Sequence, residues 1–383
     1  MNIAIIGCGL IGRKRALALT KNDILVACCD SNPEIGKKFS SDFPCTQYTD
    51  YRKLLKEVNC DVVVVAVVNK FAKDIIINSL KAGKHVITEK PLGRNLEEAE
   101  DIVEVWKNRR LGGGKNGILE KWSNGMTKKQ MNGIVENWNS GKPNITLSYN
   151  SNTPSFQHSS TQILKTGFNH RFHPAVWKAK ELIDSGKIGK VFNIRARYGH
   201  GGRAGMEKEW RASKDLCGGG ELLDQGVHII DLIRWFGGEI SEVYGSVGTK
   251  FWDMEVEDNA FVILKSINNV TSSFHVSWTN WKNIFSFEIF GTDGYLKIEG
   301  LGGSYGPETL EIGIRKKEGG RPEIEFLEFQ SEDISWEMEW NEFKSAISEN
   351  RQVIGSGYDG LKANEVINAI YISNKKKKVV YLD

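Results

Sequence analysis

Residues 2–12 read Asn-Ile-Ala-Ile-Ile-Gly-Cys-Gly-Leu-Ile-Gly, and a second apolar run from Ile24 to Cys29 ends in Asp30. This is strand, glycine turn, helix, strand and acid, the order that builds a dinucleotide site. The turn is tight, so Gly7 must take a backbone shape closed to other residues. A side chain at Gly9 would collide with a pyrophosphate, and one at Gly12 would push the helix off the sheet. The first helical amides lack partners and point at an anion, helped by the helix dipole. Gly7, Cys8, Gly9, Leu10, Ile11 and Gly12 therefore form the expected cofactor turn, with Arg13, Lys14 and Arg15 adding positive charge nearby. Asp30 is placed to accept hydrogen bonds from the adenosine ribose hydroxyls and would repel a 2′-phosphate. NAD is thus expected as cofactor and NADP disfavoured, a choice that Arg13 would soften by reaching across.

Strand and helix patterns continue to alternate. Asp61 to Ala66 reads as a buried parallel strand, Phe71 to Ala82 as a helix stopped by Gly83, Lys84 to Thr88 as a strand, and Leu96 to Arg109 as a helix. The segment 111–162 is rich in Gly, Asn, Ser and Thr and loosely repeats Trp122-Ser123-Asn124-Gly125 at Trp138-Asn139-Ser140-Gly141. Joining Arg110 to Ile163 restores an ordinary connection length, so 111–162 reads as an insertion, with a lid or subunit clamp as the rival. Ile163 to Phe168 resumes as a strand. Beyond it come a helix from Pro174 to Ser185 and strands at Val191–Tyr198, Val243–Lys250, Ala260–Ser266, Thr271–Ser277, Phe285–Phe290 and Tyr295–Glu299. Hairpin turns are expected at Asn268-Asn269 and Asp293-Gly294. Glu337–Glu349 and Asp359–Asn374 read as closing helices.

The fold class expected is α/β. An N-terminal Rossmann domain (1–172) with a doubly wound parallel sheet carries the 111–162 insertion before its sixth strand. A C-terminal α+β domain (173–383) follows, with a large, mostly antiparallel open sheet. At 383 residues two domains are the natural division. The net charge of +3 is near balance, and no basic stripe with interleaved aromatics marks a nucleic-acid surface. No stretch has the length of a membrane span. The start of the chain reads as a core strand rather than a leader, so a cytoplasmic protein is expected. The six cysteines lack metal-ligand spacing. Reduced buried thiols and no metal site are expected.

Alcohol oxidation moves a hydride from carbon to nicotinamide and a proton from oxygen to a base. Lys90 follows a strand carboxyl end, where ligands gather in open α/β sheets, and precedes Pro91. An ammonium beside a cationic nicotinamide is disfavoured, so it can relay a hydroxyl proton; a surface turn is the plainer alternative. Asp224 and His228 lie four apart, on one face if Leu222 to Phe236 is one helix, after the run Gly218-Gly219-Gly220. They form a base with an orienting carboxylate, or a buried polar pair. Either His228 takes the proton with Lys90 assisting, or the two roles are reversed. Arg171 binds a substrate oxygen or makes a domain-boundary ion pair. Trp210-Arg211 clamps the cleft, or is a core ring beside a surface charge. His200 and Arg203 lie on a glycine-rich loop that either meets a phosphate or is simply solvated.

Several linked motifs, in this order, resemble the Gfo/Idh/MocA oxidoreductase family. They are the glycine turn, Ala82-Gly83-Lys84-His85-Val86, Glu89-Lys90-Pro91, Gly167-Phe168-Asn169-His170-Arg171-Phe172, and Gly218 through His228. The resemblance implies Lys90, Asp224 and His228 as the catalytic cluster and a cis bond before Pro91. It also implies Asn69 and Glu89 at the cofactor, and a homodimer or homotetramer through the open sheet. One departure is plain. Where the family commonly has Thr-Pro-Asn and a histidine three residues on, this chain has Val67-Val68-Asn69 and Ala72. The function expected is NAD-dependent oxidation of a ring hydroxyl of a sugar-type small molecule. A sugar nucleotide or sugar phosphate is preferred on the cationic loop from Arg197 to Arg211. The alternatives are a free cyclitol or aldose dehydrogenase, an NAD-dependent glycosidase of the same fold, and a non-catalytic NAD sensor.

Overall fold

The opening apolar run becomes β1 (Asn2–Ile6), central in its sheet, and the glycine turn delivers the chain into α1 (Leu10–Leu17). The computed structural model describes residues 1–110, 162–329 and 332–382. The 111–162 segment, apart from Gln162, lies outside them. β2 (Ile24–Cys29), β3 (Thr46–Tyr48), β4 (Val62–Val65), β5 (His85–Thr88) and β6 (Leu164–Thr166) complete a six-stranded sheet of order 3-2-1-4-5-6. Every pairing is parallel. The order reverses between β1 and β4, which opens a crevice at their carboxyl ends. Between the strands run α2 (Pro33–Asp42), α3 (Tyr51–Glu57), α4 (Asn69–Lys81) and α5 (Leu96–Arg110).

The second sheet has nine strands. After α6 (Pro174–Asp184) come β7 (Val191–Gly199), α7 (Val227–Gly237), β8 (Ile240–Gly248), β9 (Asn259–Ser266), β10 (Thr271–Ser277), β11 (Ile284–Gly291), β12 (Gly294–Glu299), β13 (Thr309–Ile314) and β14 (Glu323–Glu328). The chain closes with α8 (Ser335–Ser348), α9 (Gly357–Lys376) and β15 (Val380–Tyr381). The strand order is 14-13-12-11-7-10-9-8-15. All pairs are antiparallel except β7 with β10, which is parallel. The expected hairpins form, with Asn269 at φ 62° in the first and Asp293-Gly294 in the second. β3, β13 and β14 go beyond the sequence reading. They are short, or present charged faces, and carry weak period-two signals.

One face of this sheet packs on α7 and α9, joining Val227, Ile230 and Ile233 to Phe274, Phe287, Ile367 and Ile370. The other face is left bare by the described residues and exposes Phe192, Tyr244, Phe261 and Ile263. The chain then returns to the first sheet. Trp340, Phe343 and Ala346 of α8 are buried against Ile3, Ile5, Val62 and Val64, and the Trp340 indole donates to Asp23 at 2.7 Å. Residues beyond 335 therefore help to make the core of the first sheet. Trp340→Ala is expected to lower unfolding stability by about 3–5 kcal/mol, read from the midpoint in urea with an unchanged slope.

Candidate active site

The glycine turn is wedged between strand ends. Gly7 has φ 96°, and its amide donates to Cys29 O at 2.8 Å. A Cβ on Gly7 would lie 2.2 Å from Ala66 O, and one on Gly12 would lie 1.9 Å from Gly7 O. At Gly9, by contrast, a Cβ would meet nothing within 4 Å, which leaves room for a ligand over the start of α1. Asp30 accepts from Cys8 N at 2.9 Å and from Asn32 N at 2.9 Å, one bond to each oxygen. Each oxygen keeps acceptor capacity for a hydroxyl. The turn, its unpaired helical amides and this acid fit a dinucleotide diphosphate and ribose.

The basic cluster after the turn is arranged otherwise than expected. Arg13 pairs with Asp42 and lies over Phe43. Arg15 is buried and bonded to Glu89 at 2.7 Å and Glu339 at 2.6 Å. Its charge is thus neutralised inside the protein. The Glu89 carboxylate, expected at the cofactor, is one of those two partners. Asn69 begins α4 and donates to Cys217 O at 2.9 Å, tying the first sheet to the loop ahead of the glycine run.

Glu89 follows the end of β5, and a cis peptide joins Lys90 to Pro91. Lys90 Nζ reaches across to Asp224, donating to Oδ1 at 2.7 Å and also to its backbone carbonyl. The other Asp224 oxygen lies 3.5 Å from Arg211 Nε, and the Arg211 guanidinium stacks 4.5 Å from the Trp210 ring centre. Burial pushes the Asp224 carboxyl up, but Lys90 and Arg211 outweigh it and hold the group down at about 2. The expected single helix from Leu222 is corrected here. Leu222–Gly226 is one π turn, and the α-helix starts at Val227. Such wide turns occur mostly at functional sites, and the four-residue spacing is not that of an α-helical face.

His228 is buried, and its ring stacks on His170 with centres 3.7 Å apart and planes 15° apart. Burial first, then the Lys90 ammonium, holds His228 well below the usual imidazole range. The same causes, with His228 and His173, hold His170 down. Both rings are therefore neutral. His170 Nε2 bonds Tyr198 OH at 2.9 Å, Tyr198 packs on Tyr305, and Tyr305 OH accepts from Gln225 at 2.9 Å. The sequence reading missed His170, Tyr198, Tyr305 and Glu221. Only the Gly218–Gly220 run, directly before Glu221, signals a close approach there.

Lys90, Asp224, His228, Trp210 and Arg211 are thus brought together, with Asn69 bonded to Cys217 at the end of the short helix that precedes the glycine run. Arg171 is not part of this group. Its buried guanidinium is bound twice by Asp231, at 2.7 and 2.6 Å, and once by Asp359 at 3.0 Å. It takes the ion-pair alternative, because its Nε and one terminal nitrogen are already committed to two carboxylates. Among the described residues no group of three His, Cys, Asp or Glu side chains is placed to hold a metal, and no helix is long and apolar enough to cross a membrane.

Residues 1–111 match the family described as "Oxidoreductase family, NAD-binding Rossmann fold", and residues 176–297 match the "GFO/IDH/MocA C-terminal domain". The chain is 29% identical over 374 residues to an inositol 2-dehydrogenase/D-chiro-inositol 3-dehydrogenase of Lactiplantibacillus plantarum, covering 94% of this chain and 86% of that enzyme. It is 23% identical over 332 residues to a levoglucosan dehydrogenase of Pseudarthrobacter phenanthrenivorans, covering 77% and 72%. Among solved structures, levoglucosan dehydrogenase in complex with NADH and levoglucosan superposes with TM-score 0.79 at 21% identity, over 100% of this chain and 99% of the other.

Two outcomes follow from the charges. The depressed Asp224 group stabilises the fold above its unfolded value, near 3.9, and that contribution is lost as pH falls through about 2. Asp224→Asn should flatten the pH dependence of the melting temperature between about pH 4 and 2, an effect on the order of 2 kcal/mol. Arg171→Met should cost about 3–5 kcal/mol by leaving Asp231 uncompensated, with cofactor affinity of the folded fraction unchanged.

Proposed function

Because the chain belongs to the Gfo/Idh/MocA oxidoreductase family, with its NAD-binding Rossmann domain, we propose that it oxidises a ring hydroxyl of a neutral sugar or cyclitol. The observation that carries this reading is Lys90 at a strand carboxyl end, paired across the cleft with Asp224 beside the neutral His228. NAD, when bound, accepts the hydride at its nicotinamide ring. Gly7 through Gly12 hold its diphosphate and Asp30 its adenosine ribose. Lys90 relays the proton of the substrate hydroxyl, gaining it as one of its own ammonium protons passes on, Asp224 fixes the direction of its N–H bonds, and His228 shares a hydrogen bond with the same oxygen. A charged His228 would face the Lys90 ammonium from within a buried site, so Lys90 rather than His228 relays the proton.

A neutral substrate suits the cations better than a phosphorylated one. Arg197 sits on the bare face of the second sheet, Arg203 pairs with Glu209, and Arg211 is engaged by Asp224 and Trp210. Of the arginines that favoured a sugar nucleotide or phosphate in sequence, Arg203 and Arg211 are thus shared with carboxylates, and Arg197 lies on the sheet face away from α7. The relatives named for inositol and levoglucosan support the same class. Lys90→Met should lower turnover about 10²–10⁴-fold while NADH binding, followed by fluorescence, persists. A screen of NADH formation should rank free cyclitols and sugars above sugar phosphates and sugar nucleotides; the opposite ranking rejects the neutral class.

The bare sheet face supplies a second reading, the contact with another copy of this chain. Phe192, Phe261 and Ile263 are each more than half exposed there, and contiguous apolar surface of this kind marks an interface. Phe261→Glu should shift the sedimentation of the protein from an oligomer towards a monomer.

A further inference from the structure

Glu221 stands directly after the three glycines and leads the π turn that carries Asp224. It is fully buried, and among the described residues neither carboxyl oxygen has a hydrogen-bond partner. Gly220 makes this placement possible, since a Cβ there would lie 1.9 Å from Glu257 O. The Glu221 amide donates to that carbonyl at 2.9 Å, which presses the two glutamates together. Their fates differ. Glu257 Oε1 accepts from Tyr371 OH at 2.8 Å and from Leu222 N at 3.2 Å, so it is held. Glu221 is not. The groups acting on it are Lys90 from the end of β5, Asp224 on its own turn and Glu257 ahead of β9, with Tyr198 of β7 and Tyr305 after β12 feeling its charge in turn.

An ionised carboxylate in this setting is costly, because no hydrogen bond replaces lost water. Burial first, then Asp224, drives Glu221 well above the usual carboxyl range, against the pull of Lys90. It is a neutral acid in the free protein. Its balance is sensitive to charge, since a further positive group nearby in a medium of low dielectric favours the carboxylate strongly.

Building on the NAD-linked reaction proposed above, we propose that Glu221 is the proton-holding residue of the Lys90 site. It carries a proton in the free protein and gives it up when the oxidised, cationic cofactor settles beside Lys90. It then takes up, through Lys90, the proton that leaves the substrate. The step balances. The carbinol C–H bond breaks with both electrons leaving as hydride for the nicotinamide. The O–H bond breaks with its electron pair forming the carbonyl, and its proton ends on the Glu221 carboxylate. The positive ring is lost in the same step, so the condition that ionised Glu221 disappears as the proton arrives.

Calorimetric titration of NAD+ and NADH into the full chain, in two buffers of different ionisation enthalpy near neutral pH, tests this. Wild-type protein should release about one proton per NAD+ bound and none per NADH, and Glu221→Gln should release none with either. Equal release from wild type and variant assigns the proton to another group and overturns the role, as does no release from the wild type. If the variant does not fold, infrared difference spectra of the wild type decide. Adding NAD+ should remove a protonated-carboxyl stretch and raise a carboxylate band, and an unchanged carboxyl region overturns the role. Protein that binds no NAD+ defeats the NAD reading and Glu221's role with it; binding without a proton signal defeats the role alone.

Discussion

A buried chain of charges closes the back of the cleft. Arg15 on α1 holds Glu89 and Glu339, and Glu339 in turn lies 3.3 Å from Lys165 of β6. Lys165 also donates to the Ile354 carbonyl and faces the Phe172 ring. Four segments distant in sequence meet there. Glu89 directly precedes Lys90, so the direction in which that lysine leaves the sheet is fixed by a guanidinium it never touches. A network of this kind adds little net stability over an apolar core, but losing one member leaves an uncompensated charge. What it secures is geometry. The strand end cannot rotate without breaking the bonds behind it.

This network also marks where the sequence stops being readable. Strand periodicity, the glycine turn and the Glu-Lys-Pro and Gly-Gly-Gly signals are local, and each placed its element correctly in outline. The destination of an arginine is not local. Arg13 and Arg15 look alike beside a phosphate turn, yet one lies outward against Asp42 and the other is sealed inside. Their difference depends on Glu339, more than three hundred residues away. Arg171 was legible only as one of two possibilities for the same reason, its partners being on α7 and α9. The π turn was illegible because its apolar spacing mimics a helix start, and Glu221 because a glutamate normally reads as surface.

The cleft is electrically asymmetric. Lys90 and Arg211 converge on Asp224, while the stacked histidines beneath them are uncharged. Packing two imidazoles face to face near an ammonium leaves neither a reason to bind a proton. Their contribution is shape and hydrogen bonding in a buried floor. The aromatic path from His170 through Tyr198 to Tyr305 sets that floor rigidly beneath the π turn.

The return of α8 to the first sheet has a consequence for biosynthesis. Ile3, Ile5, Val62 and Val64 leave the ribosome well before the rings that cover them, Trp340 and Phe343. The nascent cofactor lobe must therefore wait, half-clad, while β7 to β14 of the second sheet are made. A vectorial chain of this design favours late, concerted closure over lobe-by-lobe maturation, and it exposes the young polypeptide to chaperone capture throughout that interval.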